Sequence, residues 1–308
     1  MKWVLPFDWD PQSNKRIESK STLFFLGSCF AENIAEQVSL NRLNVTKNPF
    51  GILYNPISMA HVFAHCLNGS TLLKEDLFFH NNLWHSEMHH VAFSDTTQEN
   101  TLQKINNEII NAAEQLNNSD FIFLTFGTAK VYKSKATGKI VGNCHKRPLS
   151  DFETSMLDVA TIMNQWDNLI TQCPDKEFYL SISPVRYVRE GLIESNHSKA
   201  ILRIAIQQLI AKHPNVYYFP AFELITDVLR DYRFYHSDLV HPNAQAIEFV
   251  YDFFHSKLFA EQTKQYVTEW RKIDAMFKHK ALQPESPQWR EFEIKRKNAL
   301  ESFNKKWH

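Results

Sequence analysis

Two short stretches hold the residues best suited to chemistry. In the first, Leu23-Phe24-Phe25-Leu26 is an apolar run of strand length that stops at Gly27. Two side chains able to act as nucleophiles, Ser28 and Cys29, follow directly. A strand that turns sharply into a helix there lifts a side chain clear of the sheet edge and aims backbone N–H groups at whatever binds. A purely structural role is the alternative, with Gly27 allowing the turn and Ser28 capping the helix. In the second stretch, Tyr235-His236-Ser237-Asp238-Leu239-Val240-His241-Pro242-Asn243, an Asp lies three residues before a His on a loop. The Asp238 carboxylate could fix the His241 tautomer and stabilise its imidazolium, leaving the other ring nitrogen to activate a nucleophile. By itself Asp-x-x-His is a weak signal, because an N-cap Asp beside a surface His gives the same pattern.

Histidines also crowd 76–94, where His85, Glu87, His89 and His90 occur in Trp84-His85-Ser86-Glu87-Met88-His89-His90. The spacing does not match the helical HExxH zinc pattern. In an extended segment His85, Glu87 and His89 would share one face, with His90 on the other. A structural or substrate-lining part for His89 fits better than metal ligation, and no metal or other cofactor is expected. His145, Lys146, Arg147, Arg186 and Lys199 would gather positive charge if their loops converge at the C-terminal sheet edge. Such a site suits a substrate with a carboxylate, a phosphate or many hydroxyls; solvated surface cations are the alternative for each.

The elements that must position these residues alternate between strand and helix. Strand signals occur at 22–26, near 45, at 120–126, 178–183 and 216–219, and helical spacing at 31–40, 57–68, 97–117, 151–172, 198–212 and 222–232. A polar hairpin-like insert follows the central strand. Continuous apolar runs such as Phe121-Ile122-Phe123-Leu124 mark parallel strands covered on both faces. This order predicts an α/β domain over 1–260, with an irregular N-terminal arm at 1–20. A charged, aromatic-studded stretch at 261–308 reads as a helical appendage of two helices, which could cover the site, extend the core or form a homo-oligomer interface.

Composition narrows the function classes. The 308 residues are 44% apolar, and Lys plus Arg equal Asp plus Glu at 34 each. Net charge therefore gives no argument for nucleic acid or an anionic membrane as partner. No run approaches the ~20 apolar residues of a membrane span, and Pro6 and Asp8 interrupt the apolar start expected of a secretory signal. The cysteines Cys29, Cys66, Cys144 and Cys173 are far apart and form no CxxC pair. A soluble, cytoplasmic protein is the expectation.

Gly27-Ser28-Cys29-Phe30-Ala31 begins a collinear series of motifs. It continues through Phe126-Gly127-Thr128-Ala129, Asn143-Cys144-His145-Lys146, Ser183-Pro184-Val185-Arg186, Ser198-Lys199-Ala200 and Arg230-Asp231-Tyr232-Arg233-Phe234-Tyr235. It ends at Asp238-Leu239-Val240-His241-Pro242. Over roughly 20–255 the chain resembles the GSCFA family, which looks like a branch of the SGNH (GDSL-like) hydrolases. The resemblance implies a three-layer α/β/α fold with a mostly parallel, flavodoxin-like sheet, and an acyl-ester hydrolase or acyltransferase with a Cys/Ser-His-Asp triad. The substrate would be a small or carbohydrate ester. Aligned without a gap, Cys29 takes the nucleophile position and Ser28 that of the superfamily's Asp; a one-residue shift would make Ser28 the attacking group. A Cys29 thiol on a helix N-terminus could have its pKa lowered by the dipole and by His241. The Asn that usually completes the oxyanion hole is replaced here by Gly127-Thr128-Ala129-Lys130. Asn143, the Thr128 hydroxyl and the N–H groups of Gly51 and Cys29 are the candidate substitutes. Loss of that Asn also admits a non-catalytic ligand-binding module.

Overall fold

The computed structural model describes residues 7–307, so the first six residues of the expected N-terminal arm lie outside the described part. The domain is a three-layer α/β/α sandwich around five parallel strands: β1 (Thr22–Gly27), β2 (Asn44–Lys47), β5 (Phe121–Phe126), β9 (Glu177–Ile182) and β10 (Val216–Tyr218). Their order across the sheet is β2-β1-β5-β9-β10. Counted within this sheet alone, that is the doubly wound 2-1-3-4-5 order, whose ligand crevice lies at the carboxyl ends of the first and third strands. Here those strands are β1 and β5, paired in register from Leu23↔Phe121 to Gly27↔Thr125.

Strand alternation divides the core. Phe24 and Leu26 of β1 face one buried cluster together with Ile122, Leu124, Phe178 and Leu180. It is covered by α2 (Pro56–Asn68), α3 (Gln98–Asn117), α4 (Val159–Thr171) and α5 (Leu192–Lys212). Leu23 and Phe25 face the other with Phe121, Phe123 and Tyr179, under α1 (Cys29–Leu40) and α7 (Ala244–Leu258). Residues buried on both faces explain the unbroken apolar strands.

Several expectations from the sequence change. The helix at 151–172 begins later, because Phe152–Met156 is a strand (β8) pairing antiparallel with β6 (Lys130–Ser134), itself joined to β7 (Ile140–Val141). Asp158 then caps α4 by accepting from the Thr161 N–H at 2.7 Å. The helix at 222–232 is a short α6 (Ala221–Glu223) running into π-type turns at Leu224–Leu229, which stop at Arg230 with φ 44°. Segment 77–86 forms a hairpin, β3 (Leu77–His80) and β4 (Leu83–Ser86), turning through Asn81 and Asn82, both at positive φ as a type I′ turn requires. His85 therefore lies on β4 whereas Glu87 and His89 follow its end, so the expected shared face does not form.

The two appendage helices, α8 (Glu261–Lys278) and α9 (Pro287–Trp307), extend the core rather than cap the crevice. Tyr266 and Phe303 bury their rings 5.0 Å apart, and the Trp270 indole donates to the Leu40 carbonyl at the end of α1 at 2.7 Å. Among the described residues no helix is long and apolar enough to cross a membrane.

Gly27 ends β1 with φ 146°, and a Cβ there would lie 2.4 Å from the Thr125 carbonyl oxygen. The first strand turns toward the site only because nothing stands at that position. Gly27→Ala should lower the unfolding free energy by about 3 kcal/mol or more, through positive-φ strain plus displacement of β5. Urea unfolding checks this; a loss below about 1 kcal/mol would show that β1 and β5 part easily.

Candidate active site

The turn after β1 is tied from three sides. The Gly27 N–H donates to Asn48 Oδ1 at 2.8 Å, the Leu53 N–H donates to the Gly27 carbonyl at 3.0 Å, and the Ser28 N–H donates to the Thr125 carbonyl at 3.2 Å. Ser28 is the N-cap residue of α1 in extended conformation, yet its side chain makes no cap bond. Its hydroxyl oxygen is sealed from solvent and has no partner. Cys29, the first residue of α1, is half-buried. Burial pushes the Cys29 thiol up from its ordinary pKa, more than the backbone N–H groups of Phe30 and Cys29 and the ammonium of Lys199 pull it down. The expected lowering of this thiol is thus reversed: the desolvation cost of a thiolate exceeds the pull of the helix N-terminus.

Asp238 and His241 are joined side chain to side chain, with His241 Nδ1 2.8 Å from Asp238 Oδ2. The other carboxylate oxygen accepts the N–H groups of Val240 at 2.8 Å and His241 at 3.0 Å. These two backbone bonds, and then the imidazole, hold the Asp238 carboxyl well below the usual carboxylate range. The loop closes on itself: the His236 N–H donates to the His241 carbonyl at 2.8 Å, and Leu239 takes φ 58°. The Arg186 N–H reaches the Val240 carbonyl at 3.2 Å, fixing this loop to the segment after β9. An ionised Asp238 accepting from Nδ1–H leaves Nε2 as the basic nitrogen of a neutral His241.

Ser28 and His241 line the same cleft of about 270 Å³, at the carboxyl ends of β1, β5 and β9. Its walls are largely apolar, with Tyr54, Val185, Tyr187 and Val240 among them. Tyr54 and Tyr187 meet edge to face at 6.5 Å. Cys29 is not part of the lining, although its thiol bears electrostatically on both Tyr54 and Lys199. Arg186 also lines the cleft, but its guanidinium is held over the rings of Tyr232 at 5.0 Å and Tyr235 at 4.8 Å and donates to the Tyr232 hydroxyl.

Lys199 lies beneath this cleft. Its Nζ donates to the Gly127 carbonyl at 2.6 Å and the Ser183 carbonyl at 2.7 Å, joining the ends of β5 and β9. Burial lowers its pKa to about 7. It is part of the scaffold of the cleft, not a solvated cation.

The other residues singled out by the sequence lie elsewhere or are already engaged. The Gly51 N–H donates to the Asn48 carbonyl, and both Gly127 and Thr128 N–H groups donate to the Tyr54 carbonyl, at 2.7 and 3.0 Å. The Thr128 hydroxyl meets the Ser198 hydroxyl at 3.0 Å and accepts the Lys130 N–H. Asn143 uses its side-chain oxygen on the His145 N–H at 2.8 Å, and neither lines the cleft. His145 is buried with Nε2 on the Ser86 carbonyl, and Arg147 is paired with Glu87 at 2.8 Å. His89 is buried beside Phe50, with Nδ1 on the Ser86 hydroxyl. These three lie around the β3–β4 hairpin and the insert that carries β7, away from the cleft. Tyr54 and Tyr187, which wall the cleft, were missed by the sequence reading. Tyr54 sits in the stretch Asn48-Pro49-Phe50-Gly51-Ile52-Leu53-Tyr54-Asn55-Pro56, whose Asn, Pro and Gly residues read as a long loop at the sheet edge, and that is the usable signal.

Comparison with curated proteins found none that matches the chain. The family model that does match is the GSCFA family, over residues 22–254, from β1 into α7. That span holds the Gly27-Ser28-Cys29 turn, the floor formed by Lys199, and the Asp238–His241 pair, and the protein belongs to the GSCFA family.

Proposed function

We propose that the protein is an acyl-ester hydrolase or acyltransferase of the SGNH kind. The observation that carries this reading is the 2.8 Å His241–Asp238 pair on the rim of the cleft that the β1–α1 turn borders. A carboxylate-oriented imidazole beside a nucleophile turn, at the switch point of a parallel sheet, is the arrangement of acyl transfer. Cys29 is the attacking group: the residue is only half-buried, whereas the Ser28 hydroxyl is sealed. Because burial keeps the thiol protonated, His241 acts as general base at the moment of attack. Cys29 Sγ adds to the ester carbonyl carbon and its proton passes to His241 Nε2. The oxyanion faces the N–H groups of Cys29 and Phe30 at the start of α1. Collapse expels the alcohol, which takes the proton from His241. Water or an acceptor hydroxyl then attacks the thioester by the same steps in reverse order. The apolar walls fit a short acyl group, on a small or carbohydrate alcohol.

A non-catalytic ligand-binding module is the second reading. It is favoured by the N–H groups of Gly51, Gly127 and Thr128 all being spent inside the fold, which leaves few oxyanion donors. Turnover of p-nitrophenyl acetate, butyrate and octanoate by wild type and Asp238→Asn separates the two. The hydrolase reading expects acetate or butyrate to be cleaved and Asp238→Asn to be slower by about 10²-fold or more. A folded wild type that cleaves none of the three would make the binding module the better account.

A further inference from the structure

A second cavity, of about 180 Å³, lies between α2 and the insert and shares no lining residue with the Ser28–His241 cleft. His61, His65 and His89 all face it, together with Glu75 and Asp76. His61 and His65 stand one turn apart on α2, and their Nε2 atoms are 3.2 Å apart. Two nitrogens bound at ~2.0–2.1 Å to one tetrahedral zinc are separated by about 3.3 Å, so the helix already presents the spacing that a shared metal demands.

The surroundings favour the same use. Gly69, at φ 61°, ends α2 and folds Ser70 back over it, and the Ser70 carbonyl lies 2.6 Å from His65 Nδ1. An Nδ1–H donated to a backbone carbonyl leaves the Nε2 lone pair outward, the arrangement found around metal-ligating histidines. His89 is 2% exposed; its Nδ1 is engaged by the Ser86 hydroxyl, and its Nε2 is buried with no partner. Arg147 on the same lining is neutralised by Glu87, and Lys139 is the other cation there. His61 is exposed, so a metal ion can reach the pair from solvent.

We infer that His61 and His65 bind a divalent transition metal such as Zn²⁺ through their Nε2 atoms. Among the described residues no three His, Cys, Asp or Glu side chains already converge on one point. The remaining coordination positions therefore hold water on the cavity side, where the vacant His89 Nε2 accepts a hydrogen bond from it. Without metal, the 3.2 Å contact is a hydrogen bond from His61 Nε2–H to His65 Nε2; it is given up when His61 shifts its proton to Nδ1 and both Nε2 lone pairs turn to the ion. The site is separate from the proposed acyl-transfer cleft and does not depend on it. His85–His90 drew attention in the sequence, but the pair that converges is His61-x-x-x-His65, legible as two histidines at i and i+4 of a segment already read as helical.

The test is titration of the metal-free full chain with ZnCl₂ by calorimetry, repeated with CoCl₂ to record the visible absorption of a bound ion. Wild type should take up one equivalent and gain thermal stability with zinc. His61→Gln and His65→Gln should each weaken binding by about tenfold or more, and the double variant should lose it, with circular dichroism unchanged. His89→Leu should weaken it less. Equal zinc affinity in wild type and the double variant, or no binding by a folded wild type, would overturn the inference. Unchanged affinity in His89→Leu would overturn the part given to His89.

Discussion

Replacing His241 by alanine should lower kcat/KM for a short p-nitrophenyl ester by about 10²–10⁴-fold, the range that a positioned general base contributes. Cys29→Ala should abolish turnover down to the level of that variant or below. Ser28→Ala is the informative contrast. The Ser28 hydroxyl caps nothing and meets nothing, so its removal leaves no new unsatisfied group. Stability should change by less than about 0.5 kcal/mol, or rise slightly, and kcat by no more than a few-fold. The opposite pattern, with Ser28→Ala inactive and Cys29→Ala active, would move the nucleophile by one residue and require the turn to open. Alkylation by iodoacetamide adds a pH axis. Burial raises the Cys29 pKa, so the rate should climb with a midpoint above that of a free thiol, not below it. A midpoint below about 8 would contradict the buried-thiol description.

The parts of this molecule that the sequence discloses are those governed by nearest neighbours along the chain. Phe121-Ile122-Phe123-Leu124 could only be a strand covered on both faces, and Gly27 before two small polar residues could only turn sharply. Asp238 and His241 are three residues apart, so their contact is a property of one loop, and the sequence offers it as a candidate although the same spacing also suits an N-cap Asp beside a surface His. What escaped depends on distant partners. Phe152–Met156 pairs with β6, about 20 residues away, and that pairing overrides a helical reading of 151–156. Lys199 reads in the sequence as a substrate-facing or solvated cation, because nothing in its sequence neighbourhood reveals that the ends of β5 and β9 offer two carbonyls to its amine. The Cys29 shift was misjudged for the same reason: a helix N-terminus is local information, and burial under other elements is not.

Stability should rise with pH between about 7 and 8.5 in wild type, and this rise should be absent in Lys199→Met. Lys199 has a folded pKa near 7, lowered by burial, against about 10.4 for lysine in an unfolded chain. Between these values the unfolded chain carries the proton and the folded one does not, so each step up in pH favours the folded state. Loss of one proton changes stability by about 1.4 kcal/mol per pH unit at most, or roughly 1–2 kcal/mol over this window. The window stops at about 8.5 because buried cysteines oppose the trend above it. Cys29, Cys66, Cys144 and Cys173 all have raised pKa values in the fold, so above the ordinary thiol pKa the unfolded chain loses protons first. The neutral amine still has two N–H donors for the Gly127 and Ser183 carbonyls, so deprotonation removes the desolvation cost without breaking the joint beneath the cleft. In Lys199→Met both carbonyls lose their donor, and stability at pH 8.5 should fall by about 1–3 kcal/mol. Urea unfolding of both proteins from pH 6.5 to 8.5 reads slope and offset together. Parallel curves would mean that Lys199 keeps its proton throughout, and that the floor of the cleft carries a permanent positive charge beneath Cys29.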